Sequence, residues 1–358
     1  MQGKNRWSIG VDLGGTKTLV ARVDEAGRVG RMLRLPTNAA KGAAAVKKML
    51  IDGVRDLLQG AGRSPAGIGV GIAGQVDPES GAVKFSPNLG WQDEPFRAEL
   101  KRALRLPVMV TNDVRAATWG EWLYGAGKGC NDLLCLFVGT GIGGGVVSGG
   151  QVLTGCSNTA GELGHITIDL HGPPCHCGNR GCMEALAGGW AIAREARDKV
   201  KSDPDAGALI LKRAGGQADK ITAKVVAASA KAGDPLALAL LDQVALALAA
   251  GSTGLVNAFN PCRIIFGGGV IEGYPRLIGK VARGLKGRAL PPALDSLRVV
   301  RSELGADAGV AGSAALVMHF SERVPGGIRR NVVDFLKVKP PALKGRKPQV
   351  ANRESARG

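Results

Sequence analysis

The chain has 358 residues, a hydrophobic content of 45% and a formal net charge of +17 at pH 7. A chain of this length suggests two domains and can bury a substantial core, and its composition is ordinary for a globular α/β protein. Its seven cysteines, an odd number in a long chain, argue against a disulfide framework and for free thiols or metal ligands.

Much of the positive charge lies at the C-terminal end. Residues 321–358 contain ten Lys or Arg and three acidic residues, so they carry +7 of the +17. We expect this Pro-rich, charged tail to be disordered. The remaining +10 is spread over 320 residues and suits anionic nucleotide substrates or solubility as well as it suits nucleic acid. Nucleic acid is therefore not the expected partner.

The N-terminal residues contain no basic-then-apolar leader of the secretory type. The longest apolar stretch, residues 235–250, is interrupted by Asp242 and Gln243. We therefore expect a soluble cytoplasmic protein with no membrane partner.

Residues 7–23 predict an apolar strand, a Gly-rich turn and a second strand, and residues 133–153 repeat this scheme. Two copies about 125 residues apart suggest two similar domains that face a shared cleft. Other segments alternate between the two element types, which predicts an α/β fold: strands within 67–77, 106–113 and 261–271, and helices within 44–62, 189–200, 234–260 and 309–320.

The first glycine cluster, "DLGGTK", lies at the predicted hairpin turn. Its glycines would let backbone N–H groups approach phosphate oxygens, and its Thr and Lys would add a hydroxyl donor and a positive charge. An ordinary hairpin turn would use the same two glycines. The Asp before the turn and the Thr-Lys after it favour phosphate contact by Asp12, Gly14, Gly15, Thr16 and Lys17.

The second cluster, "GTGIGGG", contains the spacing G-x-G-x-x-G of a dinucleotide fingerprint. A dinucleotide site needs a helix to begin at the glycines, whereas this segment continues as a β-branched strand. We therefore predict a second phosphate-binding hairpin that faces the first, with Gly139, Thr140, Gly141, Gly143 and Gly144. The third cluster, Gly267, Gly268 and Gly269, follows a strand and suits either a structural turn or a nucleotide.

The segment "VTNDVR" ends a buried strand at Asn112 and Asp113 and then begins a helix. A carboxylate at a strand end can accept a proton from a hydroxyl that attacks a phosphoryl group. Asn and Asp are also favoured helix N-caps. Both roles fit together if one residue caps the helix and the other, Asp113, acts as the base.

Three cysteines and three histidines crowd into residues 160–186. One His with Cys175, Cys177 and Cys182 would make a tetrahedral, structural zinc site. His165, His171 and His176 compete for the fourth position. Redox exchange by the Cys-x-Cys pair is a minor alternative, because nothing nearby resembles an oxidoreductase scaffold. Cys130, Cys135, Cys156 and Cys262 are expected to be core or inert thiols.

In this order, "DLGGTK", "PNLGW", "ND", "GTGIGGG", "ELGH" and "CHCGNRGCME" resemble the ROK family of sugar kinases and sugar-responsive repressors over residues 8–318. The resemblance implies an actin-like, hexokinase-type (ribonuclease H-like) fold of two α/β domains with ATP and sugar between them. The expected domains are residues 1–115 with about 305–320, then 116–304, followed by the tail 321–358.

The resemblance also implies a role for each matching residue. Asp113 is the catalytic base, and the glycine clusters hold the phosphates and adenosine of ATP with Mg²⁺. The sugar set is Asn88, Asn112, Asp113, Glu162, His165 and Glu184. The structural zinc ligands are His165, Cys175, Cys177 and Cys182.

The repressor branch of the family adds a winged helix-turn-helix, of about 60 to 80 residues, before the first phosphate loop. In this sequence only eleven residues precede Asp12. We therefore expect an enzyme that phosphorylates the 6-hydroxyl of a hexose, with glucose the best single candidate. The alternatives are N-acetylglucosamine, N-acetylmannosamine, fructose or allose as substrate, polyphosphate as donor, or a non-catalytic sugar sensor. Members of the family are often dimers, although no sequence feature here fixes a homodimer.

Overall fold

The computed structural model describes residues 6–320. The tail that the sequence predicts to be disordered, residues 321–358, lies outside the described residues. Within them the strands are β1 Trp7–Leu13, β2 Lys17–Asp24, β3 Val29–Pro36, β4 Ile68–Ile72, β5 Gln75–Val76, β6 Val83–Ser86, β7 Trp91–Glu94, β8 Val108–Asn112, β9 Leu133–Val138, β10 Ile142–Ser148, β11 Gln151–Val152, β12 Arg263–Gly267 and β13 Arg298–Arg301.

The helices alternate with these strands. They are α1 Ala43–Leu58, α2 Phe96–Leu104, α3 Asp113–Tyr124, α4 Met183–Ala187, α5 Gly189–Ser202, α6 Ala208–Arg213, α7 Ala223–Lys231, α8 Pro235–Phe259, α9 Gly269–Gly273, α10 Arg276–Leu285, α11 Pro291–Ser296 and α12 Ala308–Phe320. Short 3₁₀ turns occupy Ala39–Lys41, Leu163–His165, Ala218–Lys220 and Gly305–Asp307.

Two five-stranded sheets share one connectivity. Their orders are β3-β2-β1-β4-β8 and β11-β10-β9-β12-β13, and β5-β6-β7 form a small third sheet. In each large sheet the first three strands in space are antiparallel and the next two are parallel. Strands β1 and β9, which each precede a glycine turn, hold equivalent positions. The similarity predicted from the repeated strand-turn-strand pattern is therefore present in the topology.

Each large sheet packs its own hydrophobic core. Helix α1 buries Val46, Leu50, Val54 and Leu57, which share one face at helical spacing, against the first sheet. The second core forms where β9, β10 and β12 pack with the long helix α8. Each sheet thus has a core of its own.

Helix α3 lies between the two large sheets. A Cβ at Gly145 of β10 would overlap Thr118 of α3, and a Cβ at Gly312 of α12 would overlap the carbonyl oxygen of Ala116. Helix α12 in turn packs on the first sheet, where a Cβ at Gly10 would overlap its backbone. Glycines thus bring helices and sheets into close contact, and the first residue of α3, Asp113, is held between the sheets.

Helix α8 is long and apolar enough to cross a membrane by length and composition alone. Half of its most apolar window is buried inside the protein, which is typical of a core helix. It begins at Asp234, whose side chain accepts a hydrogen bond from the Ala237 N–H, with Pro235 in the first turn. The helix therefore belongs to the core of the second sheet.

The expectation of free thiols at Cys130 and Cys262 is wrong, because the structure joins these two residues in a disulfide. They lie 132 residues apart, and no spacing in the sequence links them. Cys130 precedes β9 and Cys262 precedes β12. These strands pair in parallel, with their first residues, Leu133 and Arg263, opposite each other, and so the two cysteines meet. Cys135 is buried as expected, whereas Cys156 is exposed and not part of the core.

Candidate active site

The first glycine hairpin connects β1 to β2. The Gly14 N–H donates to the Lys17 carbonyl at 3.1 Å, and the Thr37 hydroxyl donates to the Gly14 carbonyl at 2.7 Å. A Cβ at Gly15 would overlap the backbone and Cβ of Asn88, so the hairpin lies directly against the turn that carries this predicted sugar ligand. Asn88 itself is exposed and free to contact a ligand.

Two half-buried carboxylates lie next to this hairpin. Asp12 is on β1 opposite Gly71 of β4, and Asp113 begins α3 with its Cα beside the same glycine. Burial raises the pKa of the Asp12 carboxyl to about 6, with a further increase from Asp113 and a decrease from Lys17. A Cβ at Gly71 would lie 3.2 Å from the Asp113 Cα, so this glycine allows α3 to begin close to β4.

Burial also raises the pKa of Asp113. Glu162 adds to the increase, and the N–H of Val114, which donates to Oδ1 at 2.9 Å, opposes it. A carboxylate that is buried, negatively charged and near a second acid is a stronger proton acceptor than an exposed one. This environment is suited to a general base.

Asn112 is the N-cap of α3. Its Oδ1 accepts from the Arg115 N–H at 3.1 Å, and its Nδ2 donates to the Gly74 carbonyl at 3.3 Å. The capping role considered for Asn112 or Asp113 therefore belongs to Asn112, which leaves Asp113 free of it. The Oδ1 and the Nδ2 of Asn112 each make one hydrogen bond within the protein. Each atom can make a second hydrogen bond to a ligand.

The second glycine hairpin connects β9 to β10 at Gly139, Thr140 and Gly141. The Gly139 N–H donates to the Gly141 carbonyl at 2.9 Å. The start of α5 ties the turn down, because the N–H groups of Gly189 and Trp190 donate to the carbonyls of Gly139 and Thr140, both at 2.9 Å. The two hairpins occupy equivalent positions in the two sheets, as the prediction of facing phosphate loops requires.

Gly143 and Gly144 lie within β10 and not in the hairpin turn. A Cβ at Gly143 would overlap Val114 of α3, and a Cβ at Gly144 would overlap Leu163. Close packing therefore accounts for these two glycines. The spacing of the glycine run could not distinguish this packing from phosphate contact.

The third cluster lies beside the second hairpin. Gly267 ends β12, Gly268 has a φ of 88° and Gly269 begins α9. A Cβ at Gly268 would overlap the backbone of Val138, the last residue before the hairpin turn. The positive φ and the close approach both require glycine at this position.

Glu184 is wedged over the second hairpin turn. Its Oε2 accepts from the Ile142 N–H at 2.7 Å, and its Oε1 accepts from the Trp190 indole N–H at 3.2 Å. A Cβ at Gly141 would overlap the same carboxylate. The sequence did not predict a role for Trp190, because its contact with Glu184 depends on the packing of α5 against the hairpin.

Glu162 precedes the 3₁₀ turn Leu163–His165, which packs on β10. A Cβ at Gly164 would overlap the carbonyl of Ile142, the residue whose N–H binds Glu184. Glu184 and the turn that contains His165 thus both contact Ile142 of β10. A pocket between α3 and β10 is lined by Asn112 and Glu162, whereas Asn88, Asp113, His165 and Glu184 lie outside its lining.

Arg115 is a second residue that the sequence analysis missed. It is buried and donates to Oδ1 of Asn158 at 2.6 Å and to the Asn158 carbonyl at 3.0 Å. Asn158 in turn donates to the Val76 carbonyl at 2.8 Å. These contacts hold the segment before Glu162 against α3 and β5.

The cysteine stretch folds into a compact cluster of potential metal ligands. One atom from each of His165, Cys175, Cys177 and Cys182 lies within 4.8 Å of all the others. Nδ1 of His165 is 3.6 Å from the Cys175 sulfur, and the sulfurs of Cys177 and Cys182 are 3.7 Å apart. Tetrahedral ligands at about 2.3 Å from a zinc ion would be about 3.8 Å apart.

The protonation of the three thiols is interdependent. Burial raises the pKa of Cys175 and raises that of Cys182 to about 12. A backbone N–H from Asn179 lowers the pKa of Cys177. Thiolates that lie this close together favour a shared cation. The three thiols and one imidazole therefore fit a zinc ion, and neither His171 nor His176 is part of the cluster.

Comparison with known proteins gives the family. The model of the ROK family matches residues 8–319. The chain belongs to the ROK family. A glucokinase from Halalkalibacterium halodurans is 37% identical over 320 residues, which cover 87% of this chain and 95% of that relative. A glucokinase from Thermotoga maritima is 36% identical over 319 residues, which cover 89% and 98%.

A solved ROK structure shows the same architecture. The crystal structure of a ROK family glucokinase from Streptomyces griseus, in complex with glucose and AMPPNP, is 34% identical, with a TM-score of 0.76. The match covers 87% of this chain and 98% of that one. The two-domain, actin-like fold expected for the ROK protein is confirmed. The exact domain boundaries, 1–115 with about 305–320 and 116–304, stay a prediction.

Proposed function

We propose that this ROK protein transfers the γ-phosphoryl group of ATP to the 6-hydroxyl of glucose. The observation that carries the proposal is the pair of neighbouring, half-buried carboxylates, Asp12 and Asp113, which lie on either side of Gly71 beside the first hairpin. The choice of glucose is supported by the relatives named glucokinase and by the neighbour that binds glucose and AMPPNP. A non-catalytic regulator is not favoured.

Asp113 is the general base in this proposal. Its carboxylate accepts the proton of the sugar 6-hydroxyl as that oxygen attacks the γ-phosphorus. The new bond joins the sugar oxygen to phosphorus, the bond from phosphorus to the bridging oxygen breaks, and ADP leaves with that oxygen. The proton stays on Asp113 until release to solvent. The raised pKa of Asp113 favours proton acceptance, because burial destabilises the charged carboxylate relative to the protonated acid.

The two hairpins hold the nucleotide. The first binds phosphate through Gly14, Gly15, Thr16 and Lys17, and the second through Gly139, Thr140 and Gly141. The adenosine lies against Gly267, Gly268 and Gly269, which border the second hairpin. The Asp12 carboxylate would hold Mg²⁺, which neutralises developing charge on the phosphates when bound.

The sugar lies between the first hairpin and the 3₁₀ turn Leu163–His165. Its hydroxyls are bound by Asn88, Asn112, Glu162, His165 and Glu184, with Asp113 at the reacting hydroxyl. Amide, carboxylate and imidazole groups together offer the donors and acceptors that a polyol needs. Since Nδ1 of His165 faces the cysteines, its other ring nitrogen is available to the sugar.

Zinc in the cluster of His165, Cys175, Cys177 and Cys182 would be structural. Three thiolates and one imidazole complete a tetrahedral shell and leave no open position for water. The four ligands would order the loop between Glu162 and Glu184. The zinc ligands would thereby hold the sugar-binding residues in place.

The closest alternative keeps the mechanism and changes the sugar to N-acetylglucosamine, N-acetylmannosamine, fructose or allose. The donor alternative is polyphosphate. A cytoplasmic location and a homodimer also belong to the proposal.

The test is a coupled assay of ADP release over a panel of these sugars with ATP and Mg²⁺. Glucose should give the highest kcat/KM. ADP release with none of the sugars would refute the proposed function, and a preference for another hexose would change the substrate alone.

A further inference from the structure

The structure assigns a positioning role to Trp190, an aromatic residue of α5 that the nucleotide and sugar sets do not include. We propose that its indole N–H fixes the carboxylate of Glu184 for sugar binding. The inference rests on the proposed role of Glu184 as a sugar ligand. Three contacts carry it.

The first contact is the hydrogen bond itself. The indole nitrogen lies 3.2 Å from Oε1 of Glu184, while the Ile142 N–H holds Oε2 at 2.7 Å. Each carboxylate oxygen has two lone pairs, so both retain a position for a sugar hydroxyl. With only the Ile142 bond, the carboxylate could rotate about its terminal torsion, which is soft. The indole N–H therefore restricts this rotation before the sugar binds, so that sugar binding costs less conformational entropy.

The second contact fixes the indole ring. The ring stacks on His176 with centroids 4.1 Å apart and an interplanar angle of 24°, and the Arg194 guanidinium carbon lies 5.1 Å from the ring centroid. The Arg194 side chain is itself held by a hydrogen bond to the Ala185 carbonyl at 3.2 Å. The ring orientation is thus set by two side chains, and the N–H keeps its direction toward Glu184.

The third contact fixes the backbone of Trp190. Its N–H donates to the Thr140 carbonyl at 2.9 Å, next to the same hairpin turn over which Glu184 is wedged. Helix α5, the hairpin and Glu184 therefore form one unit. His176 lies between Cys175 and Cys177, so the same unit also extends to the cysteine cluster.

Trp190→Phe keeps a ring for His176 and Arg194 and removes the N–H donor. We expect KM for glucose to rise by about tenfold, equivalent to ~1.4 kcal/mol, the usual size of a hydrogen bond to a charged group. The kcat and the KM for ATP should change less than twofold. Trp7→Phe is the matched control, because Trp7 is also half-buried with an arginine, Arg22, over its ring, and its KM for glucose should equal that of the wild type.

A second measurement is independent of turnover. In the ¹⁵N spectrum of the indole groups, the signal lost in Trp190→Phe belongs to Trp190. We expect Glu184→Gln to shift this signal upfield, because a neutral amide is a weaker acceptor than a carboxylate.

An unchanged KM for glucose in Trp190→Phe, in a wild type that phosphorylates glucose, would overturn the inference. A Trp190 signal that does not respond to Glu184→Gln would overturn it as well. If the wild type turns over no sugar, the proposed function fails, and the indole signal alone decides whether Trp190 positions Glu184.

Discussion

Asp113 lies close enough to Asp12 to raise its pKa, and burial and this neighbour together bring that pKa to about 6 against the opposing effect of Lys17. The two acids belong to different elements, β1 and α3, and both lie beside Gly71 of β4. The relationship has consequences for stability and for activity.

Asp12→Asn should stabilise the fold at neutral pH. A carboxyl with a pKa of about 6 in the folded state and 3.8 as a free side chain binds more protons when folded, so folding stability falls as the pH rises through this window. The cost is fully present above pH 6 and absent below 3.8. The variant should therefore gain about 2–3 kcal/mol in its free energy of unfolding at pH 8 and little at pH 4.

Urea denaturation at both pH values measures the difference. Asp219→Asn serves as the control, because Asp219 is exposed, and should change stability by less than 0.5 kcal/mol, about the usual limit for a surface site. Equal effects of Asp12→Asn at pH 4 and pH 8 would contradict the account. Since the proposed Mg²⁺ site requires an ionised Asp12, the kinase activity of the wild type should also decline below about pH 6.

Cys177→Ala should lose zinc and weaken sugar binding. Cys177 is exposed, yet its sulfur lies 3.7 Å from that of Cys182 in the ligand cluster. Loss of one thiolate leaves three ligands and loosens the loop between Glu162 and Glu184. We expect zinc content to fall below about a tenth of the wild-type value and KM for glucose to rise about tenfold.

Cys156→Ala is the matched control, because Cys156 is also an exposed free cysteine but lies outside the cluster. It should retain both zinc and glucose affinity. Metal analysis that finds full zinc content in Cys177→Ala would refute the assignment of this cysteine as a ligand.

Glu121→Ala should destabilise the fold strongly. This buried carboxylate accepts hydrogen bonds from the N–H of Ala126, the hydroxyl of Ser302 and the N–H groups of Glu303 and Leu304. It thereby ties the end of α3 to the segment that leads into α12. Removing it leaves several donors without an acceptor, so we expect a loss of about 3 kcal/mol or more in the free energy of unfolding.

The exposed Glu195, replaced by Ala, should change that free energy by less than about 0.5 kcal/mol. Chemical denaturation of both variants gives the comparison. Point mutations typically reduce the free energy of unfolding by about 1 kcal/mol. A loss below about 1 kcal/mol in Glu121→Ala would therefore show that the network contributes little.

Local pattern was enough to predict the strand-turn-strand units. The apolar residues of β1 and β9 and the glycines after them lie within single short windows, so no tertiary information was needed. The same holds for α1, whose apolar residues recur at helical spacing, and for α8, which begins with Asp234 and Pro235. The capping alternative at Asn112 was also correctly anticipated, since Asn is a favoured N-cap.

What the sequence could not predict depends on contacts between distant elements. Cys130 and Cys262 meet because β9 pairs with β12, and Arg115 meets Asn158 because α3 lies against the loop before Glu162. Strand β13 has four residues without a buried face, so it gave no periodic signal.

The glycine run had a related ambiguity. A glycine that admits a neighbouring side chain and a glycine that admits a phosphate look the same in a sequence. Gly143 and Gly144 admit Val114 and Leu163, and only the packing of β10 on its neighbours made this visible.

The most direct test of the account is the ADP release of Asp113→Asn with glucose, ATP and Mg²⁺, combined with calorimetric titration of glucose. The amide keeps an acceptor for the Val114 N–H, so the start of α3 should stay intact. We predict that kcat falls by about 10²–10⁴ while the Kd for glucose changes less than about fivefold. A variant that binds glucose and retains more than about a tenth of the wild-type kcat would contradict the role of Asp113 as the base.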